Sequence, residues 1–143
     1  MKWPKLIPEL TVLDFNESYK FYVDVLGFEV ENVRTNPNFA YLKLDEAHLM
    51  IEEHHEEGWN VGGLKYPLGL GLNFQIECND AILLKHKLVK AGYEIYRGVK
   101  ESWYNTGEEI SGFKEFLVQD PSGYLLRFSQ YLGKRAINPI YPS

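Results

Sequence analysis

The sequence carries one unit twice, and a repeat of this kind leaves few folds open. In "DFNESYKFYVDVLGFEV", Phe15, Tyr19, Tyr22, Val23 and Leu26 recur at helical spacing, and Gly27 follows as a C-terminal stop. In "NDAILLKHKLVKAGYEI", Ala81, Leu84, Leu88 and Ala91 do the same before Gly92. Asp14 to Gly27 covers 13 positions, and so does Asn79 to Gly92. Asp14 or Asn16 can cap the first helix, and Asn79 or Asp80 the second. The strand "GFEV" follows one stop and "GYEI" the other, while "ELTVL" and "NFQIE" precede the two helices.

Beyond the helices, "YLKLDEAHLMIEE" (41–53) superposes on "FLVQDPSGYLLRF" (116–128), with Asp45 on Asp120. The offset between copies grows there from 65 to 75, so the second copy holds ten extra residues. Each half reads as strand, helix and three strands, the last two forming a hairpin around an Asp turn. The extra segment, roughly Glu101 to Ser111, reads as a loop, and "HHEEGWNVGGLKYPLGLG" as the linker between halves.

Composition removes several classes of function. The chain has 143 residues with 15 Lys and Arg against 20 Asp and Glu, and no basic run, so nucleic acid is not an expected partner. A net charge of −5 favours a cationic ligand instead. The apolar runs are too short to cross a membrane. The opening Met-Lys-Trp-Pro-Lys lacks a signal-peptide core, so a cytoplasmic location is expected. Cys78 is the single cysteine and reads as a small half-buried strand residue rather than a nucleophile. Aromatic residues make up 15% of the chain, and Phe39, Tyr41, Trp59, Trp103 and Tyr104 lie in or near polar stretches where a core alone would not place them all.

The duplicated unit resembles the vicinal oxygen chelate superfamily, the glyoxalase, bleomycin-resistance and extradiol dioxygenase fold. The likeness spans residues 6 to 131 and is strongest to the bleomycin-resistance group. It rests on "IPELTVLDFNESYKFYVDVLGFEV", on "FAYLKLDEAHLMIEE", and on "KEFLVQDPSGYLLRF" with its E-F pair and D-P-x-G turn. A Trp-Gly pair usual before that E-F is replaced by Gly112-Phe113, and Trp103 and Tyr104 could supply the missing ring. The resemblance implies an α+β fold of two tandem βαβββ modules, with curved mixed sheets around a cleft and helices on the outer face. It implies a single domain over 1–143, with module one at 6–57, a linker at 58–69, module two at 70–131 and a tail at 132–143. It also implies a homodimer in which module one of one subunit faces module two of the other, with the tail packing on the neighbouring chain.

Metal-dependent members of that superfamily supply four ligands, usually His, Glu, His and Glu. Carried onto this chain, these positions fall at Ile7 or Pro8, at Glu52, at or next to Asn73, and at Arg127. A guanidinium has no lone pair to offer and repels a cation. One good ligand of four is not a site, so no metal and no other cofactor is expected. In "IEEHHEEG", Glu52 and His54 share a strand face and form the best rival pair, with His55 pointing the other way. A solvated strand end is the plainer reading of that run.

Strand alternation places Leu49 and Ile51 under the first helix, leaving Met50, Glu52 and His54 on the opposite face. By the repeat, Leu125, Arg127 and Ser129 take that face in the second module, and Phe39 and Tyr41 take it in the first, with Phe116 matching Tyr41. The expected ligand-binding residues are therefore Phe39, Tyr41, Glu52, Trp103, Tyr104, Phe116 and Arg127, and no catalytic residue is assigned. The resemblance implies a protein that sequesters a flat cationic small molecule of the bleomycin type without chemistry. The alternatives are a metal-dependent glyoxalase-like isomerase, lyase or dioxygenase, and a non-catalytic small-molecule sensor. Glu52 of one subunit is further expected to pair with Arg127 of the other.

Overall fold

The computed structural model describes residues 2–137 as two compact units. Of these, the first comprises residues 2–70 together with 120–124, and the second comprises 71–119 and 125–137. Each holds a four-stranded mixed sheet of the same topology.

In the first unit, strands β1 (Glu9–Val12), β2 (Glu29–Arg34), β3 (Phe39–Leu44) and β4 (Ala47–Glu53) lie in the order β1-β4-β3-β2. The β1–β4 pair is parallel and the others antiparallel. Helix α1 (Phe15–Tyr19) is capped by Asp14, whose carboxylate accepts from the Glu17 amide at 3.1 Å. It continues as a π-helical segment, Lys20–Val25, in which the Leu26 amide reaches back to the Phe21 carbonyl. Gly27, at φ +85, then ends the helix. The buried stripe is Ser18, Phe21, Tyr22, Val25 and Leu26, so Phe21 and Val25 replace the expected Phe15, Tyr19 and Val23. This stripe packs with Leu10, Val12, Leu42, Leu49 and Ile51, all buried. Each fully buried side chain of this size contributes about 1.5–3 kcal/mol.

The second unit repeats the order, β5-β8-β7-β6, from β5 (Asn73–Glu77), β6 (Ile95–Asn105), β7 (Glu109–Gln119) and β8 (Leu125–Ala136). Helix α2 (Ala81–Lys90) is capped by Asp80, not Asn79, with the carboxylate accepting from Leu83 at 3.0 Å. Asp80 to Gly92 is one residue shorter than Asp14 to Gly27. The π-helical segment takes up that extra residue in the first copy. Ala81 and Leu88 of α2 are buried, as are Ile76, Phe116, Val118, Leu126 and Phe128 of the sheet.

The ten extra residues do not form a loop. They lengthen the β6–β7 hairpin, whose ladder runs from Ile95↔Val118 to Asn105↔Ile110, leaving a short turn closed by Thr106 onto Glu109. Strand-forming "SWY" opposite "ISGF" explains the extension. The tail differs as well: residues 132–136 complete β8 and pair with β7 down to Glu109↔Ala136, while 138–143 lie outside the described residues.

The β7–β8 turn, Asp120 to Tyr124, belongs to the first unit. Ser122 Oγ accepts from the Leu13 amide at 3.0 Å, and Tyr124 donates its hydroxyl to the Thr11 carbonyl at 2.9 Å. With Asp120 N bonded to Tyr124 O, the loop proper is Pro121 to Gly123, one residue longer than Asp45–Glu46 of the first hairpin. That residue inverts the parity of β7 against the first copy.

Candidate functional site

The inverted parity decides which side chains face away from the helix in the second unit. Phe116 lies opposite Phe128, with ring centroids 5.5 Å apart, and is 1% exposed. Its ring is in the core, so its expected place on the open face does not hold, although the residue borders the cavity that Arg127 lines. Glu115 and Leu117 take that face instead, Leu117 directly opposite Arg127 and Glu115 opposite Ser129.

A polar network results. Arg127 donates from Nη2 to Gln75 Oε1 at 2.9 Å, and its Nε lies 3.8 Å from Glu115 Oε2. Glu115 accepts from the Tyr104 hydroxyl at 2.6 Å and from Ser129 Oγ at 2.5 Å. The bond to Glu115 raises the Tyr104 phenol above its ordinary range, and partial burial adds to this. Arg127, Glu115 and Tyr104 border a cavity of about 490 Å³ that Asn73, Arg97, Lys100, Leu117 and Leu125 also line. Tyr104 and Arg127 thus border one cavity, with Tyr104 on a strand rather than on the expected covering loop. Glu115 was missed because the Asp45–Asp120 superposition assigned its parity to the core.

Trp103 sits on the other side of β6. It faces Gly112 across the ladder, Arg135 stacks over its indole at 3.5 Å, and its Nε1 donates to Glu101 at 3.3 Å. It does not line the cavity.

In the first unit, Phe39 and Tyr41 share the non-helix face with Glu52 and Met50, as expected from alternation. Both rings are already covered. The Arg34 guanidinium lies 3.9 Å from the Phe39 centroid, and Trp3 meets Tyr41 edge-on at 4.9 Å. The Tyr41 hydroxyl is also 2.6 Å from His48 Nδ1. Phe39 and Tyr41 are consequently only 3% and 5% exposed. Glu52 pairs with His55 at 2.6 Å rather than with His54, which is exposed just beyond the end of β4. The expected pairing of Glu52 with His54 on one strand face fails here because the chain leaves the strand after Glu53 and turns, bringing His55 back to Glu52. Glu52 and His55 border a smaller cavity of about 270 Å³ with Glu9, Arg34, Glu57 and Trp59. Burial pushes the Glu9 carboxyl up, the Glu52 charge adds to this, and Arg34 opposes it.

A divalent cation does not fit the four superfamily positions. Pro8 offers only a carbonyl that already accepts from Met50 N, Asn73 an amide, and Arg127 a cation held by Gln75. Among the described residues, no three His, Cys, Asp or Glu side chains are grouped to hold a metal. Burial, reinforced by Asp80 and Glu77, pushes the Cys78 thiol up to about 11 and keeps it protonated. No helix among the described residues is long and apolar enough to cross a membrane.

Comparison with known proteins places these features in a lineage. The model of the family described as "Glyoxalase/Bleomycin resistance protein/Dioxygenase superfamily" matches residues 7–128. A bleomycin resistance protein from Geobacillus stearothermophilus is 25% identical over 135 residues, covering 88% of this chain and 96% of that protein. Virulence protein STM3117 of Salmonella typhimurium is 27% identical over 123 residues, covering 86% and 81%. Its crystal structure aligns with a TM-score of 0.62 over 92% of this chain and 100% of that one, at 24% identity. An integron cassette protein of Vibrio cholerae aligns with a TM-score of 0.67 over 92% and 98%, at 19% identity, a likeness of fold.

Proposed function

Because the chain belongs to the glyoxalase/bleomycin resistance protein/dioxygenase superfamily, we propose that it is a binding protein of the bleomycin-resistance type that holds a flat cationic small molecule without transforming it. The observation that carries this reading is Arg127. A guanidinium fastened to Gln75 stands where a metal-dependent relative would place its fourth ligand, so the site has the shape of a chelating fold without its donors. The similarity to bleomycin resistance proteins supports the choice of ligand class.

The cation would sit against the first unit, where Glu9, Glu52 and Glu57 line one cavity. Trp59, 93% exposed at its rim, is free to stack on a planar ring. Phe39 would serve once Arg34 swings off it, the ligand's own positive charge replacing the guanidinium over the ring. The complete cleft would form in a homodimer, with the Glu52 face of one subunit opposite the Arg127 face of the other.

The test is a titration with metal-free bleomycin followed by tryptophan fluorescence. A saturable change at micromolar drug, reduced in Trp59→Phe, is the expected result. A flat response from a folded protein would remove bleomycin as the ligand.

A further inference from the structure

The second cavity has a charge opposite to that of the chain. Arg97, Lys100 and Arg127 line it with a single carboxylate, Glu115, in a protein of net charge −5. Strand register puts all four on one face, Lys100 opposite Glu115 and Arg97 opposite Leu117, itself opposite Arg127. Glu115 accepts from the neutral hydroxyls of Tyr104 and Ser129, and its Oε2 lies 3.8 Å from Arg127 Nε, beyond hydrogen-bond reach. Among the described residues, neither Arg97 nor Lys100 has a carboxylate within 4.0 Å. The Arg127 Nε is buried and has no hydrogen-bond partner. A guanidinium donor left in that state lacks an acceptor, and the acceptor that suits its fork is a carboxylate or phosphate.

The walls are not purely polar. Tyr96, Tyr104, Leu117 and Leu125 supply rings and aliphatic surface. About 490 Å³ is within the range of small-molecule pockets.

We infer that the cavity of the second unit is an anion site, taking an aromatic carboxylate whose acid group meets Arg127, Arg97 and Lys100 while its ring lies beside Tyr96 and Leu125. This goes beyond the cation reading, which rests on the acidic cavity of the first unit. The two can fail separately. A ligand bearing both a cationic ring system and an acid would satisfy both.

The experiment is a nitrogen-15 NMR titration of the intact chain with benzoate and, separately, with benzylamine, which has a similar ring and the opposite charge. Benzoate is expected to give saturable shifts centred on the amides of Gly98, Leu117 and Arg127, with benzylamine at least about tenfold weaker there. Arg97→Gln with Lys100→Gln, both on exposed side chains, should weaken benzoate by about tenfold while leaving the thermal midpoint unchanged. Arg127→Gln should weaken benzoate likewise. Equal binding of benzylamine at these amides, absence of saturable benzoate shifts, or unchanged benzoate affinity in the double variant would each overturn the assignment. Loss of bleomycin binding alone would leave it standing.

Discussion

The Tyr22 hydroxyl donates a 2.6 Å hydrogen bond to the Asp120 carboxylate, joining residues 98 positions apart within the first unit. Both are buried, Tyr22 at 0% and Asp120 at 2% exposure. Asp120 also accepts from the Ser122 and Tyr124 amides at 2.9 Å each. These bonds favour the charged form, yet burial outweighs them and pushes the carboxyl up to about 6. Tyr22 is driven well above its ordinary range, by burial first and by Asp120 second.

Asp120 therefore gives stability a definite pH dependence. Its folded pKa lies above its unfolded value, so its contribution is fully present below about pH 4 and is lost as pH rises through about 6. The gap corresponds to a loss on the order of 3 kcal/mol across that window. Asp120→Asn keeps an acceptor for the turn amides and removes the titration. Chemical denaturation at several pH values should show wild type losing stability relative to Asp120→Asn between pH 4 and 6. Parallel curves for the two proteins would contradict it.

Gly112 is the second test of the fold. A Cβ built there would lie 2.5 Å from the Trp103 ring, far inside contact distance. Gly112→Ala should force the indole off its place beneath Arg135 and cost about 1–3 kcal/mol. The readouts are the denaturation midpoint and the near-ultraviolet circular dichroism of Trp103, and an unchanged spectrum would show that the ring is not seated there.

Much of this architecture was legible in the repeat. The capping aspartates, the stop glycines and the alternation of β1, β4 and β8 all appear where local chemistry puts them, because each depends on neighbours in sequence. What failed depended on counting across a turn. One added residue in Pro121–Gly123 moved Phe116 into the core and Glu115 onto the open face, and no propensity marks that step. The same holds for His55, which reaches Glu52 only because the chain bends after β4. The covering of Phe39 by Arg34 required the β2–β3 register, where a bulge between Val30 and Asn32 resets the pairing.

Metal should find no stoichiometric site. Protein purified without chelator is expected to carry well below one metal per two chains by elemental analysis, and added zinc should not raise the thermal midpoint. One tightly held metal per chain, lost in Glu52→Gln, would restore the metal-dependent reading.

The proposed dimer can be probed by charge reversal. Glu52 and Arg127 each have a partner within their own chain, at 2.6 Å and 2.9 Å, so a pair across subunits would share those groups. Glu52→Arg or Arg127→Glu alone should weaken self-association measured by sedimentation equilibrium, and the combined variant should recover about 0.5–1 kcal/mol. Additive losses in the double variant would mean that the two side chains do not meet.

Retention without transformation is tested most directly by recovering the ligand. Protein and equimolar bleomycin are passed together through gel filtration, the protein fraction is denatured, and the released drug is weighed by mass spectrometry. Drug that co-elutes with the protein and returns with its mass unchanged is the expected result. Drug that elutes free, or that returns with an altered mass, would contradict a binding protein that does no chemistry.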